Sequence, residues 1–287
     1  MSYNLGSPSP IEPLSLGNVI TAGIRIYRSH LKDYFLLALK AYVWLLVPIY
    51  GWAKFYALSA LISRLTFAEL VNQPESISSG QRFVNSRIWQ FLINILLMLL
   101  VGMGILIGVV IVFAIFGFLS AVLVGGLNQQ ANIGVYLMLG LLAFVVDILA
   151  LVAVLWISTR FYLVEVPLAI EDNVDGTSTI ARSWELTKSY VWRIILISFV
   201  AFLITLPIQI VVQIVSTIVQ LIVQLVFTPL LEQNSGFGLL FAVIILALSF
   251  ASGAVVLPFW QAIKAVIYYD LRSRKEGLGL KLRDYEI

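Results

Sequence analysis

The 287 residues contain no cysteine and a single histidine, His30. Disulfides, thiolate metal sites and cysteine nucleophiles are thereby excluded, as is a metal centre built from several histidines. Charge is scarce too. Asp, Glu, Lys and Arg make up 11% of the chain, against roughly a quarter in soluble domains, while 61% is hydrophobic and the mean hydropathy is +1.00. A water-soluble globule of this length cannot hide so much apolar surface, so a bilayer has to cover it. Met1 to Pro13 lacks the charged and then apolar pattern of a cleaved signal, so the first spans are expected to direct insertion.

What charge exists is clustered. Of 18 Lys and Arg, all but Lys40 and Lys54 fall in four groups, at 25–32, 64–87, 160–193 and 264–283. Such groups face the cytoplasm, so neighbouring groups are separated by an even number of crossings. The basic residues border long apolar runs and do not form a soluble face, which argues against nucleic acid as a partner.

A crossing needs about 20 apolar residues. Apolar runs interrupted at Pro48–Gly51, at Asn128–Asn132 and near Glu232 predict an all-α integral membrane protein. Six transmembrane helices are expected, at about 33–49, 51–68, 88–112, 136–161, 190–208 and 238–265, paired as three hairpins. The expected outer loops hold no Lys or Arg. A single kinked span over 34–62 is the alternative to the first pair. Surplus apolar residues remain at 113–127 and 209–228. In the second, Gln209, Gln213, Gln220 and Gln224 share one helical face with Ser216 nearby. That stripe would line a cavity or partner helix, or else belong to an interfacial helix or to glutamines bridging helices.

Trp52, Trp156 and Trp260 lie at equal intervals, each followed by a cation and an aromatic residue. Before each expected hairpin runs a short segment rich in Arg, Ser and aromatics, opened by Ser15, by Ser76, or by Thr177 with Asp175 just ahead. Three copies of one unit follow, at about 15–72, 76–165 and 177–272, inside a single membrane domain, 15–279. Polar tails at 1–14 and 280–287 flank it. The short segments are expected to be amphipathic helices on the cytoplasmic surface, apolar face in the headgroups and cations on lipid phosphates. The candidate lipid- or partner-binding residues are Arg25, Arg28, Lys32, Arg82, Arg87, Arg182, Lys188 and Arg272.

Leu168-Ala-Ile-Glu171, Ala181-Arg-Ser-Trp-Glu-Leu-Thr-Lys188 with Trp192-Arg193, and Tyr268-Tyr-Asp-Leu-Arg-Ser-Arg-Lys-Glu276-Gly277 form an ordered set, opened by Leu16-Gly17 and Tyr27-Arg28. This set resembles the membrane domain of bacterial glycerophosphoryl diester phosphodiesterase. The resemblance implies a bacterial inner-membrane protein, and the charge groups place both termini in the cytoplasm. Some relatives carry a catalytic barrel. The motifs here occupy Leu16 to Gly279, leaving no room for the roughly 250 residues a barrel takes, so the phosphodiesterase activity is not expected of this chain.

Chemistry within the membrane domain has few candidates, and no catalytic residue, metal or cofactor is expected. His30 sits beside Arg28 and Lys32, in a position suited to headgroups. Glu165, Glu171, Asp172 and Asp175 would either bind a divalent cation or form ion pairs with Arg182, Arg193, Arg82 and Arg272. Asp147 lies deep in an apolar run, where a charge is costly unless paired or protonated, and Lys40 is its nearest candidate partner. Lys54 is expected to snorkel to the outer interface. Gly104-Ile-Leu-Ile-Gly108 permits close helix approach, within the chain or between copies. The leading expectation is a non-catalytic scaffold or accessory subunit binding anionic lipid headgroups or a partner protein. The alternative is a transporter or channel using Asp147, Lys40 and the glutamine stripe.

Overall fold

A computed structural model describes residues 14–126, 133–233 and 237–278. The tails, the turn at 127–132 and residues 234–236 lie outside the described residues. The described chain is helical, without strands: α1 (Leu16–Ser29), α2 (Leu31–Trp44), α3 (Tyr50–Leu70), α4 (Ile77–Ser86), α5 (Ile88–Gly126), α6 (Ile133–Arg160), α7 (Glu165–Ile170), α8 (Ser178–Thr187), α9 (Val191–Gln233) and α10 (Phe237–Glu276).

Helix starts follow local capping chemistry. The Ser15 and Ser76 hydroxyls accept the amides of Asn18 and Ser79, satisfying donors that the first turn leaves free. For α8 the cap is Asp175 and not Thr177. Its carboxylate accepts the amides of Ser178 at 2.7 Å and Thr177 at 2.9 Å and the Thr177 hydroxyl at 2.7 Å. These bonds, that from the Ser178 amide first, hold the Asp175 carboxyl well below the usual carboxylate range.

Four helices, α5, α6, α9 and α10, are long and apolar enough to cross a membrane. Few of the described residues in the halves away from the charged end are buried, as a lipid-facing surface requires. The surplus segments at 113–126 and 209–228 are continuous with α5 and α9 and form no separate interfacial helix. The helical hydrogen-bond ladder has no reason to break where the sequence stays apolar, since lipid offers backbone groups no other partner.

The opposite, charged end of the molecule is packed. α3 is its centre: Ala57, Leu58, Ala60, Leu61 and Ile62 are each fully buried, enclosed by α2, α4, α5, α7 and α10. The amphipathic helices α1 and α4 turn their apolar faces toward protein. In α1, Val19, Ile20, Gly23 and Ile26 are buried, with Gly23 against Ile263 and the Tyr27 hydroxyl on the Val255 carbonyl, so α1 runs antiparallel to α10. α4 lies along α3, with Gly80 against Leu61 and Leu65 and Asn85 reaching Lys54. The expectation that these faces sit in the headgroups is therefore corrected for α1 and α4. Intramolecular burial removes the same apolar area from water.

Candidate functional site

Every fourth residue of the last turns of α10, namely Lys264, Tyr268, Arg272 and Glu276, falls on one helical stripe. Asp270 and Arg274 fall on another. The first stripe meets α3, α7 and α8. Lys264 donates to Glu165, which is 3% exposed and also accepts from the Tyr56 hydroxyl at 3.2 Å. Tyr268 donates to Glu171, and Arg182 bridges Glu171 at 3.0 Å and Glu276 at 2.5 Å, while Arg272 holds Glu276 at 2.9 Å. On the second stripe, Asp270 is 1% exposed and takes both Arg193 and Arg274 at 3.0 Å. Those arginines also bind the Leu14 carbonyl, pinning the entry to α1.

Two further arginines close the loop after α7. Arg87 collects the carbonyls of Leu168, Glu171, Asp172 and Val174, a cation at a helix C-terminus where carbonyls lack partners. Arg64 holds Glu75 at 2.6 Å and the Ala169 carbonyl at 2.8 Å. Both guanidiniums stack on Phe83, at 4.6 and 3.9 Å from its centroid.

This geometry divides the eight cations read from the sequence. Arg87, Arg182 and Arg272 are bound internally. Arg25, Arg28, Lys32, Arg82 and Lys188 are exposed, Arg82 with only its own helix's Ser78 carbonyl at 3.4 Å. Of the acids, Glu165 and Glu171 are in ion pairs, Asp175 is a cap, and Asp172 contributes its carbonyl to Arg87. Arg193 pairs with Asp270, and Arg82 with none of these acids. His30 pairs with Glu69 of α3 at 2.9 Å.

The intramembrane polar residues do not converge. Asp147 is exposed on α6. Lys40 donates to Gln81 of α4 at 3.4 Å and does not meet Asp147. Gln209, Gln213 and Gln220 each bond a hydroxyl four residues away on α9, Thr205, Thr217 and Ser216, and the Gln224 carbonyl accepts from Thr228. The bond at Gln224 is to its main-chain carbonyl, and the amide groups of Gln209, Gln213 and Gln220 bond within α9. Lys54 does not snorkel. It is 7% exposed and donates to Asn85 at 2.6 Å, beside the Trp44 ring. Sequence reasoning had no means of finding the Lys54–Asn85, Arg64–Glu75, His30–Glu69 and Glu165–Lys264 pairs, because the partners lie 11 to 99 residues apart with no shared periodicity.

Gly104 and Gly108 have nothing within 4 Å of where a Cβ would stand. They make no tight contact with another helix of the chain and instead floor an apolar cleft of about 850 Å³ between α5 and α6. Comparison with family models, with curated proteins and with solved structures returned no match.

Proposed function

We propose that the chain is a non-catalytic bacterial inner-membrane scaffold or accessory subunit, with both termini cytoplasmic, that gathers anionic lipid headgroups on its exposed cations. One observation carries this reading: at the packed, charged end, Arg25, Arg28, Lys32, Arg82 and Lys188 stay solvent-facing while neighbouring cations are consumed internally. Each cation near an anionic surface contributes about 1 kcal/mol. The pairing of Glu165, Glu171 and His30 supports a structural use of these groups in preference to acid–base or metal chemistry.

The likeness to the glycerophosphoryl diester phosphodiesterase membrane domain fits the same reading. Its motif residues Glu171, Arg182, Arg193, Asp270, Arg272 and Glu276 bond one another, so the motifs make sense as a clamp.

Crossings by α5, α6, α9 and α10 return both ends to one face, and the cationic clusters put that face inside. Six crossings would require α2 to span. Its 14 residues reach only ~21 Å at about 1.5 Å each, short of the ~30 Å hydrocarbon core. The α2–α3 hairpin instead enters from the cytoplasmic face and turns back inside the bilayer, which leaves the parity unchanged. Its tip suits that place. Val43, Leu46, Val47, Ile49 and Trp52 are exposed and apolar. The amides of Leu45, Leu46, Val47, Tyr50, Gly51 and Ala53 all bond tip carbonyls, as backbone must where water is absent.

The test is lipid composition around the full chain extracted with a polymer from membranes of equal parts phosphatidylglycerol and phosphatidylcholine. The wild type should enrich phosphatidylglycerol over the bulk, less so at high salt. Combined Arg25→Glu, Arg28→Glu, Lys32→Glu and Arg82→Glu should sharply lower that enrichment. Equal enrichment by wild type and variant would remove the proposal.

A further inference from the structure

The cleft between α5 and α6 is bounded on α5 by Val101 at one end and Val112 at the other. Eleven residues of helix measure ~17 Å, about the hydrocarbon depth of one leaflet. Its volume of about 850 Å³ falls in the range of small-ligand pockets, roughly 300–1,000 Å³. The floor is flat because Gly104 and Gly108 carry no side chain there.

The charged end of the cleft is built differently. Trp156 and Trp184 meet edge to face at 6.1 Å, and Phe161 packs on Trp184 at 5.4 Å. The Arg160 guanidinium lies 5.1 Å from the Trp156 centroid and 4.3 Å from that of Trp184. Arg160 is 4% exposed, and its Nε is buried without a hydrogen-bond partner. Beyond Phe161 and Trp184, which line both spaces, a second pocket of about 670 Å³ opens, lined by Thr177, Glu185 and Lys188 as well. Lys275 feels the charge of Arg160, Lys188 and Arg182 from nearby and donates to the Glu185 carbonyl. Arg182 is neutralised by Glu171 and Glu276, which leaves Arg160, Lys188 and Lys275 around the carboxylate of Glu185.

An apolar slot one leaflet deep that runs, past two tryptophans, into a cationic pocket describes an amphiphile with a negative head. We infer that this groove holds one phospholipid of the cytoplasmic leaflet, its acyl chain against Gly104 and Gly108 and its anionic headgroup at Lys188. The site adds to the exposed-cation reading and rests on the same orientation, yet it differs in kind. It binds one lipid by shape as well as charge, and takes Lys188 for itself, whereas Arg25, Arg28, Lys32 and Arg82 act on many lipids by charge alone.

Native mass spectrometry of the full chain, released from membranes of equal parts phosphatidylglycerol and phosphatidylcholine, reads the site directly. The wild type should retain a single phosphatidylglycerol, preferred by about tenfold over phosphatidylcholine. Gly104→Leu with Gly108→Leu puts side chains into the slot where a Cβ meets no atom within 4 Å, so its melting temperature should match the wild type and its retained lipid should fall by about tenfold. Lys188→Glu should keep a lipid but lose the headgroup preference. The fourfold reversal at Arg25, Arg28, Lys32 and Arg82 should leave this lipid in place, which separates failure of this site from failure of the surface reading. Equal retention of the two lipids by the wild type would overturn the inference. So would undiminished lipid in the glycine variant, or a loss of dimer mass in that variant with lipid unchanged, which would make the groove an interface between copies.

Discussion

Glu165 is the residue on which most elements of the packed end depend. It sits at the start of α7, takes the ammonium of Lys264 on α10 and the hydroxyl of Tyr56 on α3, and is almost wholly buried. Removing one partner of a buried pair strands the other charge, at a cost of about 3–5 kcal/mol. Glu165→Ala should therefore lower the thermal midpoint of the detergent-solubilised protein sharply, and adding Lys264→Met should recover a large part of the loss. An unchanged midpoint in the single variant, followed by circular dichroism, would show that the pair carries no stability. Pairing of Glu171 with Arg182 was one of two readings open for the loop acids, whereas Arg182 and Arg272 also read as lipid- or partner-binding cations and are bound internally. Lys40 and Asp147 were not placed correctly. Helical rise gives depth along a span and says nothing of which way a side chain faces: Asp147 is exposed on α6, and Lys40 donates to Gln81 on α4.

Among the elements, the long helices were the most legible, since runs of apolar residues allow little else in lipid. α4 and α8 begin 101 residues apart, at Ile77 and Ser178, and α5 and α9 begin 103 apart, at Ile88 and Val191. The first unit departs from that pattern, with 14 and 21 residues in α2 and α3 against 39 in α5 and 43 in α9. The hairpin turns through Ile49, at φ 62° and ψ −72°, where the Tyr50 amide reaches the Pro48 carbonyl at 2.7 Å. Such a γ-turn is strained for a β-branched residue. Nothing in the sequence marks so tight a turn beyond Pro48 and Gly51. The docking of α1 turns on Gly23, because a Cβ there would lie 2.5 Å from the Ile263 side chain. Gly23→Val should cost about 1–3 kcal/mol through overpacking and loosen α1 from α10. Trypsin should then cut faster at Arg25 and Arg28, while cleavage after the bound Arg182 keeps its wild-type rate.

For the whole molecule, absence of cysteine makes orientation easy to measure, because any introduced thiol is the only one. In inside-closed bacterial cells, a membrane-impermeant maleimide should label Ile133→Cys and Gly238→Cys. It should spare Ser189→Cys and Ser273→Cys until the cells are opened. Ile49→Cys should resist the reagent from both sides if, as proposed, the hairpin tip ends within lipid. Labelling of Ile49→Cys from outside would restore a hairpin that crosses fully, and labelling of Ser189→Cys from outside would invert the topology.

Composition and the spacing of charge were sufficient, without coordinates, to establish a helical membrane protein with its cations gathered at alternate helix ends. Those are one-dimensional properties: the energy of apolar residues in lipid and of cations at its edge depends on each segment by itself. Which cations remain free and which are spent inside was decided only in three dimensions. Arg82 and Arg87 are five residues apart in sequence, yet one is exposed and the other is enclosed by four carbonyls. That difference depends on where the loop after α7 folds back, and a buried charge persists only where distant segments bring it partners.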